Sequence, residues 1–263
     1  ITGYPLPLYK SGTAPEAAGR FYLWAKDAGY PGAWAVGTPG LAGRVTDGTA
    51  VADRGCLPYK NATTGSNYLA GFTVSGSVAH QCYLIDVLWV NSGTVVTTTT
   101  AQAIGSPTWP ARDNNGATSG EGVQVGILVT TATTNAGAIT NTTLSYTNSE
   151  GTAGRTATMA SFPATAVIGT FVPFQLQDGD RGIRSIQSVT LGTSRVAGAL
   201  SVLLYRTITC IPNPLANVGG IMNNLSDDPT GTRVYNGSAL CVRYLPSATT
   251  ATTVSGCLRL VTR

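Results

Sequence analysis

The sequence predicts an all-β protein: an antiparallel β-sandwich, jelly-roll-like, with an irregular N-terminal arm. Three observations favour this class. Short segments rich in Val, Ile, Thr and Tyr recur along the chain, and these residues fit a pleated sheet. The 32 Gly and 14 Pro residues separate such segments, as turn residues do. Apolar and polar residues alternate within several segments, which is typical of strands with one buried face.

Residues 1–66 are predicted to form the irregular arm, because Gly and Pro interrupt them repeatedly. The arm also holds much of the aromatic content, including Tyr22, Trp24, Tyr30 and Trp34. An aromatic-rich segment without regular structure needs a surface to lie on, either its own core or a neighbour's. We therefore take these four side chains as candidate contacts to another subunit.

Residues 67–263 are predicted to form the sandwich core. Its first strands are 68–74 and 82–90, the second reading CYLIDVLWV. That segment is apolar on both faces except at Asp86, so we expect it to be covered on both sides. A Thr-rich connection with several Gly and Pro residues follows, and then an apolar strand over 123–129.

The remaining predicted strands alternate with polar turns. The strands 142–147 and 155–159 flank a turn at Asn148–Gly151. Pro173 in the next segment indicates an edge strand or a bulge, because proline cannot donate to a sheet. The full set of these later strands is 142–147, 155–159, 167–176, 183–191, 200–208, 239–245 and 257–261. The last two are expected to pair as a C-terminal hairpin.

Charge and cysteine content limit the functional classes. Charged residues make up 11% of the chain, against about 25% in an ordinary soluble domain. The net charge is +4, and the basic residues are scattered Arg and three Lys. They do not form the clustered basic patch that is typical of nucleic-acid binding. Five cysteines without a C-x-x-C pair favour small buried hydrophobes, although a Cys241–Cys257 bridge stays open. The sparing use of cysteine favours folding in a reducing cytoplasm. The start lacks the sections of a signal peptide.

Residues that could carry chemistry are few. His80 is the single histidine, and its expected role is structural. The pairs Asp178/Asp180 and Asp227/Asp228, and the segment 113–115, lack the register of a calcium loop, and Asp in such turns usually bonds its own backbone. Asp86 is expected to be buried as a partner of an arginine or at an interface. The prediction is therefore no catalytic residue, no cofactor and no metal.

Several phrases resemble structural proteins of tailed-bacteriophage virions. These are SYTNSEGTAGRTAT at 145–158, FQLQDGDRGIRSIQSVTL at 174–191, LPYKNATTGSNYLAGF and TVVTTTTAQAIG. The resemblance covers most of residues 57–208 and is greatest to capsid-decorating (cement) proteins. It implies a β-rich, non-enzymatic subunit that is assembled in the host cytoplasm and resides in the virion. The implied partners are the major capsid protein and copies of the chain itself, in a trimer or dimer, with no membrane and no direct nucleic-acid contact. Within this interpretation, Arg155 and Arg181 join the four aromatic residues as candidate contacts.

Three alternatives remain at this point. The first is a tail or baseplate component, for instance in a receptor-binding assembly. The second is an enzyme such as a tail-associated glycan depolymerase, which needs two carboxylates converging in a groove. The third is a secreted bacterial adhesin domain, which the missing signal peptide and the unpaired cysteines disfavour.

Overall fold

The computed structural model describes residues 2–12, 16–222 and 232–263. These residues form several antiparallel sheets with two 3₁₀ turns, at Trp24–Lys26 and Val51–Asp53. The all-β sandwich class is therefore confirmed. The jelly-roll connectivity within that class stays a prediction.

The chain folds into two compact units, and neither is a continuous stretch. Unit 1 comprises 1–35, 47–86 and 208–263, whereas unit 2 comprises 36–46 and 87–207. The predicted division into an arm (1–66) and a core (67–263) is thus corrected, because most of the arm belongs to the same unit as the C-terminal strands. The physical reason is strand pairing between residues far apart in the sequence.

Unit 1 is built on one sheet and a second strand pair. The sheet has the order β14-β5-β17-β1-β3, and β15 shares the outer edge of β5 with β14. Strand β2 pairs with β16. The bounds are β1 Thr2–Ser11, β2 Phe21–Leu23, β3 Ala28–Tyr30, β5 Asn67–Gly76, β14 Gly220–Met222, β15 Thr232–Val234, β16 Ala239–Pro246 and β17 Thr253–Thr262.

Residues 2–11 are a long strand, contrary to the predicted irregular arm. Strand β1 pairs along its whole length with β17, from Thr2 opposite Thr262 to Ser11 opposite Thr253. Pro5 and Pro7 made the segment look irregular in sequence. Leu8 and Lys10 are buried while Tyr9 between them is exposed, so the segment alternates as a half-buried strand does.

The predicted C-terminal hairpin does not form. Strand β17 has β1 on one edge and β5 on the other. Because a strand has only two hydrogen-bonding edges, β16 is left to pair elsewhere, and it joins β2. The polar tip between the two strands therefore connects two different sheets.

Unit 2 contains a four-stranded sheet in the order β10-β9-β12-β7, together with the pairings β13–β8 and β8–β11. Strand β4 pairs with β6. Strands β6 and β13 contain the boundaries between the units. The bounds are β4 Arg44–Val45, β6 His80–Val90, β7 Gln102–Ala103, β8 Val123–Thr134, β9 Thr142–Asn148, β10 Arg155–Met159, β11 Thr170–Pro173, β12 Ile183–Thr190 and β13 Ala197–Asn213.

One apolar core fills the space between the two sheets of unit 2. Strand β8 contributes every second residue, from Val123 through Val125 and Ile127 to Val129. Strand β9 faces it with Leu144 and Tyr146. This alternation is the period of two expected where a sheet buries one face. The same alternation decides which side chains of β9 and β10 face this core.

Candidate functional site

A polar cluster lies at one end of the four-stranded sheet of unit 2. We call it the Asp180 corner, and its members are Tyr146, Asn148, Arg155 and Asp180. Strand β9 supplies Tyr146 and Asn148, and its partner β10 begins at Arg155, which lies opposite Tyr146. Asp180 is held by a turn in which its N–H donates to the Gln177 carbonyl (3.1 Å). The segment 144–158 is therefore a polar bend between two strands, as predicted.

Both oxygens of Asp180 are occupied. Oδ1 accepts from Asn148 Nδ2 (2.8 Å) and Arg155 Nη2 (2.9 Å). Oδ2 accepts from Arg155 Nε (2.9 Å) and from the Tyr146 hydroxyl. Such a two-pronged arginine–carboxylate pair is stronger and more directional than a single contact. The Asp180 side chain is 3% exposed and that of Arg155 is 24% exposed, so the carboxylate is shielded while the arginine reaches the surface.

The network shifts the acidity of two of its members. The hydrogen bonds from Arg155, with help from Tyr146 and Asn148, lower the pKa of Asp180 to about 2. Burial and the hydrogen bond to Asp180 raise the pKa of Tyr146 to about 12. At neutral pH Asp180 is thus an ionised acceptor with no proton to give. This arrangement suits a structural clamp and does not provide the raised carboxyl pKa of a general acid.

The remaining charges of this region are exposed or partly exposed. Arg181 Nε lies 3.2 Å from Glu150 Oε1 and 3.7 Å from Glu121 Oε1, and its side chain is 69% exposed. Exposed ion pairs of this kind contribute little to stability. Of the two predicted arginine contacts, Arg155 is therefore committed to Asp180, while Arg181 faces solvent and is available to a neighbour.

A shallow polar depression of about 360 Å³ adjoins the Asp180 corner. Its lining includes the amide side chains of Gln124, Gln175 and Gln177, beside Asp178 and Arg181. These groups can donate and accept hydrogen bonds with a polar partner. A second open depression of about 330 Å³ in the same unit is lined by hydroxyl groups and Arg184.

Three of the four predicted aromatic contacts lie inside unit 1. Tyr22, Trp24 and Trp34 are 2%, 0% and 1% exposed. Trp24 stacks on Tyr244, with ring centroids 4.4 Å apart. Trp34 Nε1 donates to Asp53 Oδ1 (3.0 Å). The expectation that these side chains contact another subunit is corrected, because their own unit already buries them.

Tyr30 is the one of the four that is exposed, and it lies at an edge of the sheet. Strand β3 is the outermost strand on that side, and Tyr30 lies opposite Tyr9 in the register. Both rings are about half exposed, at 51% and 52%. We call this pair the tyrosine edge.

The other side of the same sheet carries exposed aliphatic residues. Leu215 and Val218 precede β14, and Ile221 lies on it; they are 60%, 49% and 74% exposed. We call these three residues the apolar edge. Sequence reasoning treated 209–237 as irregular and missed them. The available signal was a large aliphatic side chain at every third position, with Ala, Asn and Gly between them.

The other notable carboxylates tether the backbone. Asp113 accepts from the N–H groups of Asn115 (2.9 Å) and Ala117 (2.7 Å) and from Ser119 Oγ (2.8 Å), which confirms its predicted turn role. Burial opposes ionisation of Asp113, but these hydrogen bonds prevail and lower its pKa. Buried Asp86 accepts from Ser238 Oγ (2.7 Å) and the Ala239 N–H (2.9 Å) at the start of β16.

His80 has a structural position as predicted. It is buried, its Nδ1 lies 2.7 Å from the Val78 carbonyl, and burial lowers its pKa. Asp227 and Asp228 lie outside the described residues. Across residues 2–12, 16–222 and 232–263, no group of three or more His, Cys, Asp and Glu side chains is placed to hold a metal ion. In that same part of the chain, no helix has the length and apolar character needed to span a membrane.

Comparisons with known proteins add little to this geometry. No family model matches the chain, and no curated protein sequence matches it. Among solved structures it is similar to the VP2 subviral particle of infectious bursal disease virus, at 12% identity and a TM-score of 0.20, covering 100% of this chain and 81% of that one. The structure of the Gx strain of that virus gives 12% identity and the same TM-score, covering 98% and 80%. A TM-score this low carries no argument about a shared fold or role.

Proposed function

We propose that this chain is a non-enzymatic structural protein of a virion that binds and stabilises the outer surface of a phage capsid. Its partners in this role are the major capsid protein and copies of itself, in a trimer or dimer. The resemblance of residues 57–208 to tailed-phage structural proteins suggests the particle. The observation that carries the proposal is the presence of exposed apolar side chains at both edges of the unit 1 sheet.

Open sheet edges are the natural places for one chain to join another. An edge strand presents unpaired backbone groups, and soluble proteins usually protect it with charges. Here the outer strands instead carry Tyr30 on one side and Ile221 on the other, each at least half exposed. Low charge adds to this tendency, because 11% charged residues provide little repulsion between copies.

Repeated weak contacts are sufficient for a cement role. A subunit that touches several neighbours at once dissociates slowly even when each contact is weak, because the contacts act together. The polar groups of the Asp180 corner then serve to keep the scaffold rigid. The exposed Arg181 and the adjoining amide-lined depression supply hydrogen-bonding groups at the surface of unit 2.

The first test is the copy number in the particle. Virions from an infected culture that produces this chain are purified on a density gradient and quantified by mass spectrometry against the major capsid protein. Capsid decoration requires copies on the order of hundreds, since the shell is symmetric. A count of roughly a dozen or fewer would assign the chain to the tail or baseplate, and absence from the particle would overturn the proposal.

A second test addresses the edges. Ile221→Asp and Tyr30→Asp place a charge on each outer strand and are expected to lower occupancy on particles stripped of the chain and then reconstituted. Val51→Asp is the matched control, because Val51 is also exposed (70%) but lies on a 3₁₀ turn and on neither edge strand. Equal occupancy for all three variants would remove the edges from the proposal.

A further inference from the structure

Two thiols far apart in the sequence lie against each other inside unit 1. The sulfur atoms of Cys56 and Cys241 are 2.9 Å apart and separated by 185 positions in the chain. Both residues are 2% exposed, and both are free thiols in this structure. A disulfide bond needs the sulfurs about 0.9 Å closer, at about 2.05 Å.

The backbone brings these two thiols together. The Leu57 N–H donates to the Leu240 carbonyl (2.7 Å), which ties the residue after Cys56 to the residue before Cys241. The Cys56 N–H donates to the Asp53 carbonyl (2.9 Å), in the turn that follows the 3₁₀ segment Val51–Asp53. Cys241 is the third residue of β16. Backbone hydrogen bonds therefore fix the chain on both sides of the contact, so the two cysteines are brought together by ordered structure.

The other three cysteines differ from this pair. Cys82 is buried, Cys210 is exposed and Cys257 is partly buried, and all three are free thiols. The Cys241–Cys257 bridge considered from the sequence does not match the structure, because β16 and β17 belong to different strand pairings.

We propose that Cys56 and Cys241 form a site for a specific disulfide bond, made by exchange with a low-molecular-weight disulfide such as glutathione disulfide. In the first step the thiolate of one cysteine attacks the small disulfide, forms a mixed disulfide and releases one small thiol. The second thiolate then displaces the other small thiol. Both cysteines lose their protons, the protein sulfurs are oxidised, and one small disulfide is reduced to two thiols.

The folded chain protects the pair from oxidation. The hydrogen bond to Cys241, together with burial, raises the pKa of Cys56, so the reactive thiolate is scarce. Exchange therefore proceeds through local opening of unit 1, or before folding is complete. A low concentration of denaturant should accelerate it, whereas an ordinary exposed thiol such as Cys210 should react equally fast with or without denaturant.

Closing the bond should stabilise unit 1 measurably. A cross-link over so long a separation removes much of the freedom of the unfolded chain. We expect the midpoint of thermal unfolding to rise by roughly 5 °C or more after oxidation. Reduction with dithiothreitol should return the midpoint to its starting value.

The test is carried out on the full chain. The chain is refolded with glutathione disulfide, the remaining thiols are alkylated in denaturant, and non-reducing peptide mapping identifies the linked peptides. The expected product joins the peptides that contain Cys56 and Cys241, with loss of two hydrogen atoms and no retained glutathione. Alkylation of both cysteines after oxidation, or a bond from either one to a different cysteine, would overturn the proposal.

Variants separate a specific bond from general thiol reactivity. Cys56→Ala and Cys241→Ala should each abolish the linked peptide and the oxidation-dependent rise in the unfolding midpoint. Cys82→Ala removes an equally buried thiol and should leave both intact. If one alanine variant fails to fold, mapping of the unmodified chain alone still decides the outcome.

Discussion

Arg155 donates two hydrogen bonds to Asp180, from Nε and Nη2, each 2.9 Å long. The two residues are 25 positions apart: Arg155 is the first residue of β10, and Asp180 lies in the turn before β12. The pair therefore joins the start of β10 to the turn before β12. Asn148 and Tyr146 complete the same carboxylate's hydrogen bonds.

The first prediction concerns acid stability. Asp180 has a pKa of about 2 in the folded chain, against about 3.9 in an unfolded one. Because the folded value is depressed, the stability that this carboxylate contributes is complete above about pH 4 and is lost as the pH falls towards 2. Asp180→Asn should unfold at a lower temperature than the unmodified chain at pH 7, and the difference should shrink by pH 2 to 3.

Differential scanning calorimetry across this pH range checks the effect. Asp178→Asn is the matched control, because Asp178 lies in the same turn with an exposed side chain. A difference that stays constant with pH would show that Asp180 acts through packing and not through its charge.

The second prediction separates the two arginines. Arg155→Lys keeps the charge but cannot bind Asp180 with two parallel donors, so the thermal midpoint should fall. Arg181→Lys should leave the midpoint unchanged, since its ion pairs with Glu150 and Glu121 are exposed. Thermal unfolding at low and at high salt measures both variants. Equal losses in the two would contradict the assignment of Arg155 as the structural arginine.

The third prediction distinguishes a buried from an exposed residue among the four aromatic side chains predicted as contacts. Trp24→Ala removes a fully buried ring that stacks on Tyr244, and it should cost about 3–5 kcal/mol of unfolding free energy. Tyr30→Ala alters a half-exposed ring at the sheet edge and should change that free energy by about 0.5 kcal/mol or less. Urea unfolding followed by circular dichroism gives both values. A large loss for Tyr30→Ala would show that the tyrosine edge is part of the core.

The fourth prediction concerns a buried hydrogen bond in unit 2. Trp109 Nε1 donates to the Ile183 carbonyl (2.9 Å), and the ring is 2% exposed. Trp109→Phe keeps the aromatic packing but leaves that carbonyl without its donor, so we expect a loss of about 1–3 kcal/mol. Thr108→Ala, at the exposed neighbouring position, should be close to neutral. Urea unfolding curves of the two variants provide the measurement, and a neutral Trp109→Phe would mean that water replaces the indole.

Local pattern predicted the strands of unit 2 well. Segment 155–159 matches β10 in full, and 183–191 matches β12 to within one residue, because alternation and turn residues there act over short distances. The prediction for 167–176 was too long, since β11 covers only Thr170–Pro173. Short-range signals of this kind determine where a strand lies but not which strand it joins.

Features that depend on distant partners could not be predicted from the sequence. The strand character of β1 depends on β17, and the burial of Trp24 depends on Tyr244. Likewise, the approach of Cys56 to Cys241 spans 185 positions. The Asp180 corner lay within the segments selected from sequence, but its network of four side chains became evident only once β9, β10 and the turn before β12 were placed together.

The pairing of β1 with β17 has a consequence for how the protein is made. At a synthesis rate of about 5–20 residues per second, roughly ten to fifty seconds pass between the synthesis of β1 and that of β17. During that interval an isolated ten-residue strand could join nascent chains on neighbouring ribosomes. Pro5 and Pro7 each withhold an amide hydrogen, and Lys10 adds a charge, which are devices that discourage stray pairing. The two prolines and the lysine, which made this strand look irregular in sequence, thus limit its pairing with other chains until β17 has been synthesised.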